Sequence, residues 1–108
     1  MSELILVLFN LKPGVDPKTY EAWACNTDLP TVRKLGSVES FDVLKTTGLL
    51  GDGQPAPYQY VELLTISSID PFMENVSTAE MQAVAAEFQD FADNPIFIRT
   101  KEIEAASN

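Results

Sequence analysis

Thr19-Tyr20-Glu21-Ala22-Trp23-Ala24-Cys25-Asn26-Thr27-Asp28-Leu29-Pro30-Thr31-Val32-Arg33-Lys34-Leu35-Gly36-Ser37-Val38 joins an apolar N-terminal strand to a second strand. Tyr20, Trp23, Ala24 and Thr27 fall at the i, i+3, i+4, i+7 spacing of one helix face. The pattern predicts a break at Asp28-Leu29-Pro30, because a proline disfavours helical backbone at the residue before it. A second short helical run, Thr31 to Leu35, carries Arg33 and Lys34 and stops at Gly36, a natural helix C-terminal residue. A carboxylate, an indole and two cations are thus gathered at a helix break, where polar groups tend to face a groove.

Upstream, Glu3 to Leu11 is short, rich in strand formers and apolar on both faces, as in a central strand. Lys12 to Val15 reads as a turn, and Asp16-Pro17 as an N-cap followed by proline at the first helical position. Downstream, Val38 to Thr46 is the second strand and Tyr58 to Ile66 the third. Gly48 to Pro57 between them is a ten-residue loop heavy in glycine and proline, long enough to be functional, with a plain hairpin connection as the alternative. Asp70-Pro71 predicts another capped helix start. Ser77 with Glu80 resembles a capping box, opening a helix with the apolar stripe Met81, Val84, Ala85, Phe88 and Phe91 that ends near Asn94-Pro95. Ile96 to Ile103 is the fourth strand, and Glu104 to Asn108 a frayed tail.

The order β-α-β-β-α-β predicts an α+β, ferredoxin-like domain: a four-stranded antiparallel sheet with both helices on one face. The first strand points Leu4, Leu6 and Leu8 one way and Ile5, Val7 and Phe9 the other. An uncovered apolar sheet face is an association surface, so the chain is expected to pair two such faces in a two-fold homodimer with a closed chamber between the sheets. If Phe41 and Val43, Val61 and Leu63, and Ile96 and Ile98 face the helices, then Asp42, Glu62 and Arg99 converge on that chamber, with Tyr60 and Phe97 as walls. The alternative is that these charges lie on exposed strand ends or form a structural ion pair.

The 108 residues are expected to form one domain, and 45% apolar content with a mean hydropathy of zero suits a globular protein. No apolar run approaches the roughly 20 residues of a membrane helix. Met1-Ser2-Glu3 lacks the cationic start of a signal peptide, and a lone Cys25 fits a reducing compartment, so a cytoplasmic location is expected. The net charge is −9. Asp52, Glu62, Asp70, Glu74, Glu80, Glu87, Asp90 and Asp93 lie between Lys45 and Arg99 with no basic residue among them. Such a chain repels phosphate backbones and anionic lipids, so neither nucleic acid nor membrane is an expected partner.

The aromatic helix with Tyr20 and Trp23, the Thr27-Asp28-Leu29-Pro30 element and the short run Arg33-Lys34-Leu35-Gly36-Ser37-Val38 resemble the signature of the EthD-like branch of the dimeric α/β-barrel superfamily. More narrowly, the chain resembles the RedY-like proteins of prodiginine pigment biosynthesis. That resemblance implies a condensation or ring-closing step towards the methoxy-bipyrrole aldehyde half of the pigment, alongside other enzymes of that pathway. Many EthD-like relatives place a histidine near the helix break. This chain has no histidine, and Asp28 stands there instead.

Closing a pyrrole ring from an amine or imine and a carbonyl needs a general acid, a general base and a dry pocket, with no metal or redox cofactor. Desolvated carboxylates can do such work near neutral pH. Asp28 and Glu62, then Asp42, are the catalytic candidates. Tyr20, Trp23, Tyr60, Phe97, Arg99 and Arg33 are the candidates for holding a small aromatic, pyrrole-type substrate. Rival roles stay open: Trp23 as a core residue, Asp28 as the cap of the short helix, Arg33 and Lys34 as a solvated face. A cofactor-free monooxygenase of an aromatic intermediate and a non-catalytic binding or chaperone protein that shields a reactive one are the alternative functions.

Overall fold

The structure, a computed structural model, describes residues 2–106. Its elements are β1 (Glu3–Leu11), α1 (Pro17–Trp23), a π-helical turn (Ala24–Asp28), α2 (Leu29–Arg33), β2 (Val38–Lys45), β3 (Tyr60–Ile66), α3 (Ile69–Val76), α4 (Ala79–Phe91) and β4 (Ala92–Arg99). The four strands form one antiparallel sheet in the order β2-β3-β1-β4. The expected ferredoxin-like arrangement is present, with the apolar β1 in the middle of the sheet.

Asp16 caps α1 as expected, its carboxylate accepting from the Lys18 N–H at 3.0 Å. Other boundaries shift. α3 begins after Ser68 rather than at Asp70. α4 is capped by Thr78 rather than Ser77, the hydroxyl accepting from the Met81 N–H. β4 starts at once after α4, so Asn94-Pro95 lies inside the strand. Asn94 takes a left-handed φ of 47°, a conformation asparagine tolerates, beside the register shift between β1 and β4. From Thr100 to Ala106 the chain leaves the strand, and Ser107 and Asn108 of the expected tail lie outside the described residues.

Pro30 does not break the helix. The Leu29 N–H reaches back five residues to the Ala24 carbonyl, and Pro30 lands in the first turn of α2, where its missing N–H is no loss. The wider turn also changes which residues face inward. Positions four apart overshoot a regular α-helical face by about 40° per step, and the π-turn absorbs that drift. Tyr20, Ala24, Asp28 and Val32 are therefore all buried, with Asp28 taking the inward place that α-helical spacing assigned to Thr27.

The sheet phase is the principal correction. β1 buries Ile5, Val7, Phe9 and Leu11 under the helices, and β3 buries Tyr60, Glu62, Leu64 and Ile66. The register places Val7 opposite both Glu62 and Phe97, and Ile5 opposite Arg99. Glu62, Tyr60, Phe97 and Arg99 therefore lie on the helix side, and Val61, Leu63, Ile96 and Ile98 on the open face. β2 follows the expected phase, with Phe41 inward and Asp42 on the open side opposite Leu63. Asp42 and Glu62 consequently occupy opposite faces of the sheet and cannot serve one site.

The core is aromatic. Phe9 stacks on Tyr60 (5.5 Å) and meets Tyr20 (5.5 Å) and Phe88 (5.0 Å) edge-on, geometries favoured by ring quadrupoles. The buried Ser37 ties α3 to the start of β2, its N–H and hydroxyl both donating to Asn75 Oδ1.

Candidate functional site

Between sheet and helices the fold leaves a cavity of about 410 Å³, a size suited to a small organic ligand. Its floor is Ile5, Val7, Phe41, Leu64 and Phe97 from the sheet. Its roof is Val32, Phe72, Met73, Val76, Met81, Val84 and Phe88 from α2, α3 and α4. Two acids interrupt this apolar lining: Asp28 from the π-turn and Glu62 from β3. Both are buried, at 5% and 6% exposure, whereas Phe97 and Met73 are more than half exposed. The carboxyls thus occupy the dry end, and the open rim holds Phe97, Met73, Gln89 and Arg99.

Burying an ionised carboxylate without a counter-charge costs several kcal/mol, so such groups keep their protons to higher pH. Desolvation raises Asp28 to about 7. Glu62 rises to about 8, first from desolvation and then from the nearby charge of Asp28. Burial therefore keeps protons on this pair into the neutral range, where one carboxyl can give a proton and the other take one, the division of roles that general acid–base chemistry requires. Asp28 makes no capping bond to α2, so the N-cap role does not apply. Among the described residues, Glu62 Oε2 has no hydrogen-bond partner, and neither has the fully buried hydroxyl of Tyr20. Burial pushes the Tyr20 phenol far above its usual range, with Glu62 and Asp28 adding to the rise.

The remaining candidates separate. Trp23 does not line the cavity; its ring packs between α1 and α4 against Phe91 (5.3 Å), and Nε1 donates to Glu87 at 2.7 Å. Tyr20 and Tyr60 lie in the core behind the acids. The Tyr60 hydroxyl donates to Glu21 Oε2 at 2.6 Å, and Lys45 lies 3.1 Å from the same oxygen. These contacts hold Glu21 below the ordinary carboxylate range, the Tyr60 hydrogen bond first, while burial raises Tyr60. Arg99 reaches the rim but is held by Glu3 through two hydrogen bonds of 2.7 and 2.9 Å. Arg33 donates to the Phe41 carbonyl and pairs with Asp42 at 3.1 Å on the exposed side. The Gly48–Pro57 loop contributes nothing to the cavity wall. The roof residues of α4 were visible only as a helix stripe, which looks alike whether it covers a solid core or a hollow one, and those of α3 were not picked out at all.

A family model described as REDY-like protein HapK matches residues 3–103. The chain belongs to that family. Among solved structures it is similar to HapK from Hahella chejuensis, with 25% identity, a TM-score of 0.73, and 98% of this chain and 99% of that one covered. It shares its fold with a dimeric ferredoxin-like protein of unknown function from Thermobifida fusca (15% identity, TM-score 0.71, 93% and 90% covered). It also shares it with a mutant of SnoaB, a cofactor-independent oxygenase from Streptomyces nogalater (9% identity, TM-score 0.75, 99% and 98% covered). Among curated proteins no sequence matches the chain. The HapK family assignment agrees with the resemblance carried by the helix and the Asp28-Leu29-Pro30 element. Among the described residues, no helix is long and apolar enough to cross a membrane.

Proposed function

We propose that the chain catalyses a cofactor-independent, dehydrative condensation or ring closure on a small pyrrole-type substrate, in making the methoxy-bipyrrole aldehyde precursor of a prodiginine pigment. The observation that carries this reading is the pair of buried acids, Asp28 and Glu62, at the dry end of an apolar cavity. Membership of the REDY-like HapK family supports the pathway. An amine adds to a carbonyl to give a carbinolamine, and loss of water then gives the imine or enamine. Glu62 in its acid form protonates the departing hydroxyl, which leaves as water, while the Asp28 carboxylate takes the proton from nitrogen or the adjacent carbon. The apolar walls favour loss of water. Rings of the substrate lie against Phe41, Phe88 and Phe97. The reaction belongs in the cytoplasm.

The test is metabolite profiling of a strain lacking the gene, complemented by wild type or by Glu62→Gln. The reading expects the bipyrrole precursor to vanish on deletion and to return only with wild type. Unchanged metabolites on deletion would remove it. Full restoration by Glu62→Gln would leave a shielding protein without catalysis, and oxygen consumption during turnover would make the chain a cofactor-free monooxygenase of its substrate.

The working form is a homodimer. Leu6, Leu8, Val61, Leu63, Ile96 and Ile98 share the sheet face that no helix covers, paired across β1 in register. Joining two such faces removes them from water at roughly 25 cal/mol per Å². Ile98, on the edge strand and 37% exposed, is the least disruptive place to test it. Wild type is expected to scatter light as a dimer at micromolar concentration and Ile98→Glu as a folded monomer. A monomeric wild type would rule the pairing out.

A further inference from the structure

We propose that the cavity takes an organic cation, a protonated amine or iminium carried on a flat apolar body, with its nitrogen seated beside Asp28 and Glu62. The inference rests on the site of the acid–base reading and adds the charge of what enters it. A neutral ligand satisfies the apolar walls but brings no counter-charge to the two neighbouring acids, which burial then keeps protonated. The charged and titratable groups near them are few: the Tyr20 phenol from α1, the Tyr60 phenol from β3 with its partner Glu21, which Lys45 holds, and Arg99 on β4 with its partner Glu3 on β1. Tyr20 carries no charge. Arg99 is spent on Glu3 through both hydrogen bonds and stands in solvent at the rim. The cavity end therefore has two carboxyls and no protein cation committed to them among the described residues.

The second observation is Glu62 Oε2 itself. It is buried, belongs to a residue lining the cavity and has no hydrogen-bond partner among the described residues. A buried acceptor left without a donor costs about 1–3 kcal/mol. An ammonium brings several N–H donors and a positive charge at once, and so meets both needs. Phe41 and Phe88 line the same cavity, where aromatic rings attract a nearby cation, and a net charge of −9 draws cations towards the molecule.

Such a ligand must displace protons. A cation within about 4–6 Å lowers a carboxyl's pKa by roughly 1–3, so binding drives one proton off the pair and leaves the other acid protonated for the chemistry, and affinity rises with pH until the ammonium itself loses its proton. The probes are 1-naphthylmethylamine and its neutral counterpart 1-naphthalenemethanol, titrated calorimetrically from pH 5.5 to 8.5 in buffers of different ionisation enthalpy. The amine is expected to bind at least tenfold tighter than the alcohol at pH 8, the equivalent of one pKa unit, and to release protons. The alcohol's affinity is expected to be flat across the range. In Asp28→Asn with Glu62→Gln, whose amides keep the shape and lose the charge, the tenfold preference falls to near unity while the alcohol still binds. Equal affinities for amine and alcohol, absence of proton release, or no saturable amine binding would overturn the proposal. Turnover separates the two readings: if the amine has no advantage yet Glu62→Gln abolishes product, the acid–base reading stands alone. If the amine binds with proton release yet Glu62→Gln restores product, the cation site stands without the catalysis.

Discussion

Glu62→Gln is expected to lower the rate of product formation by about 10²–10⁴-fold, the range that a positioned general acid supplies, in protein that remains folded. The amide keeps the size of the side chain and can still donate a hydrogen bond to a carbonyl. What it cannot do is deliver a proton to a departing hydroxyl. Asp28→Asn is expected to cost a similar factor by removing the base, and the double variant scarcely more than either single one, because groups acting as a unit are far from additive. The control is Asp42→Asn. Asp42 lies on the opposite face of the sheet, exposed and paired with Arg33, and its replacement is expected to change the rate less than twofold. Single-turnover rates of wild type and the four variants, measured beside their circular dichroism, decide the matter. A Glu62→Gln enzyme within a few-fold of wild type would remove the acid–base mechanism. An Asp42→Asn enzyme as impaired as Glu62→Gln would contradict the placement of the site on the helix side.

Asp42 also shows where the sequence stopped being legible. The element order, the apolar β1 and the Asp16 cap are written in periodicity and turn chemistry, and they place the fold. The phase of the strands is not, because both faces of this sheet are apolar. Val61 and Leu63 look as fit for a core as Leu64 and Ile66, and a one-residue difference in phase moves Glu62 and Arg99 to the other side. A usable signal was present in β3: Tyr60, Leu64 and Ile66 outweigh Val61, Leu63 and Thr65 in buried volume, which sets Glu62 among core residues. Asp28 and Glu62 were legible as acids in a partly apolar setting. That they meet was not, since the π-turn that swings Asp28 inward has no composition of its own beyond the proline that follows it. The cavity was hidden for a different reason. It is a gap between elements, and periodicity reports only which face of each element is apolar.

The same two acids are expected to make the protein lose stability as pH rises. Both are raised in the folded state, to about 7 and about 8, above the values of roughly 4 that the unfolded chain restores. The folded state therefore binds protons more tightly than the unfolded one between those limits, and stability falls with pH there. The contribution is fully present below about pH 4 and is lost as pH climbs through 7 and 8. Glu3 and Glu21 run the other way: Arg99 lowers the first, and Tyr60 and then Lys45 lower the second, so their contributions disappear only in acid. The two windows do not overlap, which places the stability maximum in mild acid, near pH 5. A difference of one pKa unit between folded and unfolded chain is worth about 1.4 kcal/mol. Allowing for relaxation and water entry when the acids ionise, wild type is expected to be about 2–4 kcal/mol less stable at pH 8.5 than at pH 5.5. The double amide variant has no proton to lose and is expected to hold its stability across that range, overtaking wild type on the alkaline side. Urea unfolding of both proteins at pH 5.5, 7 and 8.5 tests this, and a wild type at least as stable at pH 8.5 as at pH 5.5 would refute the buried, proton-holding pair. Two residues whose replacement stabilises the fold while abolishing turnover are held there by the chemistry of the cavity and not by the requirements of folding.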